Sequence, residues 1–493
     1  MSSRLLRFLT PAGLGAVAAL GQAPFDFPAV MLVAMAAAFF LWAKISNSRE
    51  GAAFGFAFGF GYFAVCLHWI VSPFLVDAAR HGWMAPFAVV LMAAGGALFW
   101  TAAFWAARRL GRGIDWLIVT LPAIEFLRAY IFTGFPWGAP AQATVNSILG
   151  QGLSVFGPHG MNIVLVTLAV VIARSAQRWG YWSVLVAVGI SSLLMVPVMR
   201  SDALLTGTVL RLVQPNAPQA EKWDPDKIGI FYARQLAFTA AEPDPALGAP
   251  DAVVWPETAI PWNLTHAQPI LAEISAAAAG KPVLLGVQRT EGERYFNTLV
   301  LLGGGGQVTQ LYDKHHLVPF GEYMPLGDFL ARFGIYGLAP QHGAGFSSGP
   351  GAALMDLGPL GRFLPLICYE AVFAHDVNAA PARPDFIIHA TNDAWFGTHA
   401  GPQQHLAQAR MRAIEQGLPV ARAANTGISA MIDPYGRLTN SLGLGQAGYI
   451  DAALPQARMP TFYSRTGDWA ALVLLLAIAG VLRFRGRLRA LAQ

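Results

Sequence analysis

Long apolar runs occupy most of the first 200 residues and recur near the C-terminus. Eight runs approach the roughly 20 residues that cross a bilayer, and they lie at about residues 5–20, 27–43, 53–76, 84–107, 114–133, 160–177, 181–199 and 468–484. The first run is short and is interrupted by Pro11 and Gly13. The pattern predicts an α-helical polytopic membrane bundle of about eight spans, with seven in residues 1–200 and the last in residues 468–493.

Residues 201–467 follow a different pattern, in which short apolar runs alternate with amphipathic segments. Strand-like runs lie at 209–213, 252–255, 283–287, 298–302, 308–312, 362–367, 386–390, 420–423 and 428–432, and helical patterns at 226–241, 267–279 and 403–416. This alternation predicts one layered α/β sheet domain. The glycines at 303–306 indicate a hairpin turn, and residues 334–351 a long loop of the kind that often covers a site.

Composition and charge agree with a membrane protein. Hydrophobic residues make up 55% of the 493 residues and charged residues only 12%, which excludes an ordinary soluble protein. Lysines and arginines gather at every second junction between apolar runs, as at Lys44 and Arg49 or at Arg108 and Arg109. Because short basic loops stay in the cytoplasm, we predict a membrane protein with cytoplasmic termini and with residues 201–467 on the side away from the cytoplasm.

The charges also differ between regions. Residues 201–467 hold 17 basic and 22 acidic residues, whereas the rest of the chain holds 16 basic and 6 acidic residues. The pI of 9.3 therefore reflects membrane topology, and no nucleic acid partner is expected. Glu125 and Arg128 fall inside the fifth apolar run, where their i, i+3 spacing predicts an ion pair.

One thiol stands out in the predicted external domain. Cys368 is the only cysteine of residues 201–467, because Cys66 lies in the third apolar run. It follows the apolar phrase Leu364-Pro-Leu-Ile, at the point where a strand pattern ends and a nucleophile can be presented. A lone thiol in an oxidising compartment cannot form an internal disulfide, which favours a functional role.

Two ionisable side chains occupy similar positions at predicted strand ends. Glu257 follows the run Ala252-Val-Val, and Lys314 follows the run around Leu311. A thiol attacks a carbonyl as thiolate, and the oxyanion then formed needs a fixed cation or N–H donors. We expect Glu257 to take the thiol proton, Lys314 to stabilise the tetrahedral intermediate and the Tyr369 N–H to assist. Taken singly, each residue is more often structural, so the combination carries the hypothesis.

The phrases around these residues resemble the motifs of the nitrilase, or carbon-nitrogen hydrolase, superfamily. They read Trp255-Pro-Glu257, Asp313-Lys-His-His-Leu-Val-Pro-Phe-Gly-Glu322 and Ile367-Cys-Tyr-Glu370. With the apolar runs, Phe132-Thr-Gly-Phe-Pro-Trp137 and Thr391-Asn-Asp-Ala-Trp-Phe-Gly397 added, the whole chain resembles the apolipoprotein N-acyltransferase family. The resemblance implies an α-β-β-α sandwich domain on a membrane bundle.

The same resemblance implies a function. It implies ping-pong transfer of an acyl chain from a phospholipid, typically phosphatidylethanolamine, through a Cys368 thioester to the N-terminal S-diacylglyceryl cysteine of an apolipoprotein. This step would complete lipoprotein maturation, and we expect it to need neither a cofactor nor a metal. The implied catalytic residues are Glu257, Lys314 and Cys368, the supporting residues Glu322, Glu370 and Tyr369, and the substrate-binding residues Trp223, Asn392 and Trp395.

Other functions remain open at this stage. A membrane-anchored amidase or nitrilase would use the same triad with water as acyl acceptor, although a single span would be enough for anchoring. A transporter should show paired broken helices with polar midplane residues, yet the apolar runs are nearly free of charge beyond Glu125 and Arg128. The hypothesis of a signalling receptor is less favoured than that of a transporter, because the pattern predicts no cytoplasmic domain.

Two further motifs predict little chemistry. The phrase Gly345-Phe-Ser-Ser-Gly349 matches the Gly-x-Ser-x-Gly elbow of serine hydrolases, but Pro350 and Gly351 follow where a helix should begin. His315 and His316 are neighbours that should point apart on a strand, and His399 and His405 lack a tight metal-ligand spacing. The sequence therefore predicts no metal site.

Overall fold

A computed structural model describes residues 3–111, 113–180, 182, 189, 196, 203–325 and 345–491. The chain divides into two compact units. The first comprises Met1–Ser201, His399–Gln416 and Pro460–Gln493, and the second Asp202–Thr398 and Gly417–Met459. One helical segment of the first unit therefore interrupts the sequence of the second. The predicted domain boundaries after residues 200 and 467 stay a prediction.

The first unit is helical. Its helices are α1 (Ser3–Ala19), α2 (Pro28–Trp42), α3 (Ser48–Cys66), α4 (Ser72–Leu75), α5 (Ala78–His81), α6 (Ala85–Leu110), α7 (Leu117–Arg128), α8 (Leu153–Trp179), α12 (Gly401–Gln416), α13 (Phe462–Thr466) and α14 (Trp469–Leu491). Glu125 and Arg128 of α7 form the predicted ion pair, with 2.6 Å between Nη2 and Oε2. The indole N–H of Trp100 also donates to Glu125, so this buried carboxylate is well partnered.

Fewer membrane spans are evident than the apolar runs predict. Three helical segments among the described residues are long and apolar enough to cross a membrane: Ala78–Leu110, Ile148–Trp179 and Trp469–Leu488. A fourth span could be formed by α3 together with the bent segment His68–Leu75. The run at 114–133 contains α7, which is only 12 residues long, and the run at 181–199 lies outside the continuously described residues. Apolar helices that fit a membrane are present, whereas eight spans remain a prediction.

The second unit contains two six-stranded sheets. The first sheet has the order β12-β1-β2-β3-β4-β5 and the second the order β11-β10-β9-β8-β7-β6. The strands are β1 (Leu205–Gln214), β2 (Ala252–Val254), β3 (Val283–Glu291), β4 (Arg294–Leu302), β5 (Val308–Asp313), β6 (Met355–Asp356), β7 (Arg362–Ile367), β8 (Phe386–Thr391), β9 (Val420–Ala424), β10 (Ser429–Ile432), β11 (Leu438–Leu442) and β12 (Gly448–Pro455).

Each sheet is built around three adjacent parallel strands, flanked by antiparallel ones. These are β1, β2 and β3 in the first sheet and β7, β8 and β9 in the second. Parallel strands are covered on both faces and are therefore apolar along their length, as the fully buried β2 and β8 show. Their carboxyl ends meet at one edge of each sheet, which is where binding sites of α/β folds form.

Helices cover the outer face of the first sheet. The helices of this unit are α9 (Ile228–Ala240), α10 (Gln268–Ala277) and α11 (Ala374–Asn378). Leu271 and Ile274 of α10 pack with Val253 and Leu285 of the sheet in one buried cluster, and Tyr232 of α9 adjoins it. The inner faces of the two sheets meet at β1 and β10, where the Gln214 side chain accepts a hydrogen bond from the Ser429 N–H at 3.0 Å.

The predicted α/β alternation is confirmed. Every strand and helix predicted within residues 201–467 is present within a few residues of its predicted bounds. The turn at 303–306 joins antiparallel β4 and β5 as expected. The strands β6, β11 and β12 and the short helix α11 were missed. The reason is plain for β11, because its five residues are largely exposed and lack an apolar period.

Candidate active site

The three predicted catalytic side chains all lie just beyond strand ends of the second unit. Glu257 follows β2, Lys314 directly follows β5 and Cys368 directly follows β7. All three are buried, with exposed fractions of 6%, 1% and 5% respectively. Because burial removes solvent screening, each charge here strongly affects its neighbours.

Lys314 is held between two carboxylates. Its Nζ lies 2.8 Å from Glu322 and 3.6 Å from Oε1 of Glu257. Burial opposes the charge, but the charges of Glu322 and Glu257 outweigh it and raise the pKa of Lys314 above its ordinary value. Lys314 is therefore a fixed cation at neutral pH. The supporting role that the resemblance implies for Glu322 stays a prediction.

Glu257 is fixed by a donor on each oxygen. Oε1 accepts from the Asn297 side-chain amide at 2.7 Å, and Oε2 accepts from the Asn392 backbone N–H at 2.8 Å. The Asn297 amide also donates to Glu322 at 3.2 Å, so it bridges the two carboxylates that flank Lys314. Asn297 was missed from the sequence, although an Asn inside the apolar strand β4 is a signal, since buried polar groups need partners.

Cys368 is a reduced thiol in a strained turn. Its φ of +50° lies in the left-handed region, which non-glycine residues seldom adopt outside functional sites. Burial, and then the charge of Glu257, raise the pKa of the Cys368 thiol, while Lys314 and a hydrogen bond from Thr391 act in the opposite direction. The resting thiol is therefore protonated, and nucleophilic attack requires a base.

Glu370 serves the backbone around the nucleophile. Its Oε2 accepts from the Ile367 N–H at 2.7 Å, and Oε1 accepts from the Tyr312 hydroxyl and the His315 N–H, both at 2.8 Å. The resemblance implies only a supporting role for Glu370. This fully buried carboxylate joins the turn of Cys368 to the segment that follows Lys314.

The prediction that His315 and His316 point apart is wrong, because β5 ends at Asp313 and both histidines lie in the loop beyond it. His316 Nδ1 lies 2.7 Å and His315 Nε2 3.7 Å from the Asp376 carboxylate. His316, His375 and Asp376 place one donor atom each within 4.8 Å of one another, the single such group among the described residues. Hydrogen bonds within this group already account for its arrangement.

The predicted substrate-binding residues occupy different settings. Trp223 is 40% exposed and lines a small cleft together with Lys222 and Pro256. Asn392 is buried, and its side chain bonds Gln219 and Asn425; its backbone N–H is the group that reaches Glu257. Trp395 is partly buried in the turn Asp393–Phe396. Tyr369 packs edge-on against Phe373 and His316.

Lys222 was also missed from the sequence. It is 5% exposed, its Nζ donates to the Glu257 carbonyl at 3.3 Å, and it lies 4.9 Å from the centre of the Trp223 ring. Burial lowers the pKa of Lys222 to about 8, against the opposing charge of Glu257. The partly exposed Trp223 is thus tied through its neighbour to the segment that carries Glu257.

Comparison with known families places these features in context. A family described as carbon-nitrogen hydrolase matches residues 233–462, and one described as apolipoprotein N-acyltransferase N-terminal domain matches residues 14–171. The apolipoprotein N-acyltransferase of Rhodopseudomonas palustris is 36% identical, over 96% of this chain and 94% of the relative. That of Brucella suis is 37% identical, over 94% of this chain and 92% of the relative.

Solved structures show a weaker likeness, each over about half of the chain. A variant of the amidase from Nesterenkonia sp. AN1 is 19% identical, with a TM-score of 0.39, over 55% of this chain and 98% of that one. A CN-hydrolase superfamily protein from Xanthomonas campestris is 22% identical, with a TM-score of 0.36, over 50% of this chain and 90% of that one.

Proposed function

The chain belongs to the apolipoprotein N-acyltransferase family, and from this membership we propose that it moves an acyl chain from a membrane phospholipid, through a thioester on Cys368, to the N-terminal amine of a diacylglyceryl lipoprotein. It is thus a membrane-associated acyltransferase of lipoprotein maturation. The observation that carries the thioester route is the buried Lys314 cation. Glu257 and Glu322 hold this cation, and its charge and that of a Cys368 thiolate stabilise each other.

The first half-reaction forms the thioester. Glu257 takes the proton of the Cys368 thiol, and the thiolate attacks the ester carbonyl of the phospholipid. Lys314 stabilises the tetrahedral oxyanion, as a fixed cation in a water-poor site does effectively. The bond between the carbonyl carbon and the glycerol oxygen then breaks. The departing oxygen takes the proton back from Glu257, and lysophospholipid leaves.

The second half-reaction consumes the thioester. The α-amine of the acceptor cysteine attacks the thioester carbonyl, and Glu257 takes a proton from that nitrogen. The bond between carbon and sulfur breaks, the amide forms, and Cys368 recovers its proton. Splitting the transfer in this way is favourable, because a thioester is activated toward an amine and each step is easier than direct exchange.

The substrates and the membrane orientation follow from the same premise. We place the second unit on the periplasmic side of the inner membrane and both termini in the cytoplasm, as the basic junctions between apolar runs favour. Phosphatidylethanolamine is the proposed donor. The partly exposed Trp223 and Trp395 are proposed to contact lipid, since an indole ring suits the boundary between apolar and aqueous surroundings.

The thioester is tested on the purified protein in detergent. Incubation with phosphatidylethanolamine should add the mass of one fatty acyl group to the wild-type protein, and Cys368→Ala should abolish the gain. The matched control is Cys66→Ala, which removes the other buried thiol and should leave the gain unchanged. A gain that survives Cys368→Ala would exclude the mechanism.

The acyl acceptor distinguishes this function from hydrolysis. Adding a synthetic diacylated lipopeptide to the acylated enzyme should release a triacylated peptide and restore the original mass. A hydrolase with the same triad would instead release free fatty acid and leave the lipopeptide unchanged. That second result would assign the acceptor role to water.

A further inference from the structure

Asp393 is a fully buried residue that the proposed mechanism does not use. It lies two residues past β8, and each of its oxygens has a partner. Oδ2 accepts from Nη2 of Arg422 at 2.5 Å, and Oδ1 accepts from the Thr391 hydroxyl at 2.9 Å. From this carboxylate, two chains of contacts lead to Cys368, one to its backbone and one to its side chain.

The first chain ends on the Cys368 carbonyl. Nη1 of Arg422 lies 2.8 Å from Nδ1 of His389, and Nε2 of His389 lies 3.0 Å from the Cys368 carbonyl oxygen. A guanidinium only donates and a carbonyl only accepts. His389 must therefore accept at Nδ1 and donate at Nε2, which fixes a neutral imidazole in one tautomer. Arg422 and His389 are both fully buried.

The second chain ends on the Cys368 thiol. The Thr391 hydroxyl donates to Asp393 at 2.9 Å, and its interaction with the Cys368 sulfur favours the thiolate over the thiol. Because a hydroxyl carries one proton, it cannot donate to Asp393 and to the sulfur at the same time. Once the thiol loses its proton, the same hydroxyl can turn and donate to the thiolate. Asp393 thus sets the position of the Thr391 hydroxyl, which stabilises the negative charge on the Cys368 sulfur.

Two features indicate that this arrangement is maintained against a cost. A buried Arg–Asp pair rarely adds net stability, because both charges lose their water. Gly427 packs so closely on Asp393 that an added Cβ would lie 2.3 Å from Oδ2, so a glycine is needed for the carboxylate to sit there. The left-handed turn at Cys368 in turn needs surroundings that impose it.

We propose that Asp393, Arg422, His389 and Thr391 are positioning residues that hold the strained Cys368 turn and present its sulfur for acylation. The inference rests on the proposed function, since it assigns these residues to the thioester step. One chain fixes where the Cys368 backbone lies, and the other favours the thiolate.

Thr391→Val tests the second chain, because it removes the hydroxyl and keeps the shape. The charged groups that face the thiol are Glu257, Lys314 and Asp393, and all three remain. Single-turnover acylation at neutral pH should slow by about tenfold or more, with its pH profile moved to higher pH, since the thiolate loses one hydrogen bond. The lipid concentration for half-maximal rate should not change.

Thr391→Ser should restore both the rate and the pH profile. Thr309→Val is the matched control, because the exposed Thr309 donates its hydroxyl to the Leu301 carbonyl in the first sheet, whereas Thr391 lies in the second; it should behave as wild type. A wild-type rate and profile in Thr391→Val would overturn the proposal, and so would an equal defect in Thr391→Ser, which would trace the loss to packing.

His389→Leu tests the first chain and should lower the acylation rate by about 100-fold, as small misplacements of a reacting group do. His389→Gln, which keeps a side-chain donor, should recover much of it. Equal rates for wild type and His389→Leu would refute this chain. If wild type gains no acyl mass at all, the proposed function fails separately. In that case, the rate at which iodoacetamide alkylates Cys368, measured as a function of pH, compares the same variants without lipid.

Discussion

The two sheets of the second unit bring different kinds of group to the candidate site. The first sheet supplies charges that bind one another, with Lys314 between Glu257 and Glu322. The second sheet supplies Cys368, whose surroundings act largely on the backbone. Glu370 accepts a hydrogen bond from the N–H of Ile367, the residue before the nucleophile. His389 donates to the carbonyl of Cys368 itself.

This difference indicates how the chemistry is divided. In the proposed mechanism the first sheet performs acid-base and electrostatic work, so its contribution should disappear when a charge is removed and the shape is kept. The second sheet presents a nucleophile, so its contribution should depend on hydrogen bonds that hold the turn. Substitutions that remove a charge on each side therefore test whether the division is real.

The largest effect is expected from Lys314→Met, which keeps the length of the side chain and removes the cation. Loss of one oxyanion-stabilising group lowers a rate by about 100- to 1,000-fold. The variant also leaves Glu257 and Glu322 without their shared counter-charge. Single-turnover acylation should fall accordingly, while phospholipid binding, measured by retention of a labelled lipid, should persist.

The matched control for Lys314 is Lys227→Met. Lys227 forms an ion pair with Glu221 at 3.0 Å, but both side chains are more than 40% exposed, and exposed pairs contribute little. This variant should acylate at the wild-type rate. Acylation by Lys314→Met at the wild-type rate would show that the charges of the first sheet are not used in the chemistry.

A smaller effect on rate is expected from Glu370→Gln on the other side. An amide keeps one acceptor oxygen, so either the Ile367 N–H or the donors on Oε1 must face an NH2 group. We expect a loss of about 1–3 kcal/mol in the free energy of unfolding and a roughly tenfold slower acylation. Denaturant titration and single-turnover kinetics measure the two effects.

Glu291→Gln is the control for that comparison. Glu291 lies at the end of β3. Its side chain is exposed to solvent and forms an ion pair with Arg289. Its substitution should change neither stability nor rate measurably. A stable Glu370→Gln protein that acylates normally would mean that the nucleophile turn does not depend on this carboxylate, and the contrast between the sheets would fail.

The sequence located the three strand-end residues because buried parallel strands have simple signatures. A short apolar run followed by Glu257, Lys314 or Cys368 is visible without a structure. The same runs hid Arg422 and His389, which interrupt the apolar strands β9 and β8. A charge inside a strand indicates that a buried partner exists, but not which residue it is. Partners distant in sequence, such as Asp393 and Arg422, require the fold.

The first unit was harder to predict for a different reason. An apolar run locates membrane-compatible chain but not where a helix breaks, and α7 ends after 12 residues with Pro122 inside it. The polar helix α12 was assigned from sequence to the catalytic domain. In the structure the side chain of its Gln404 bonds the indole N–H groups of Trp69 and Trp137 of the first unit, contacts that no local pattern reveals.

The smallest expected effect concerns the loop beside Glu370. Burial opposes protonation of His315, but hydrogen bonds to Asp376 and Glu370 prevail and raise the pKa of His315 to about 10. The folded protein thus binds this proton more tightly than the unfolded chain, whose histidine pKa is about 6.5. The resulting stability is fully present below pH 6.5 and is lost as pH rises toward 10.

His315→Asn should therefore flatten the dependence of stability on pH. Between pH 6.5 and 9.5 the melting temperature of the wild type should fall by roughly 2–4 °C more than that of the variant, as measured by thermal melting of the full-length protein in detergent. Parallel curves would show that His315 holds no extra proton in the fold. The linkage between the Lys314 loop and the Cys368 turn would then depend on Glu370 and the groups that donate to it, which are the Tyr312 hydroxyl and the N–H groups of Ile367 and His315.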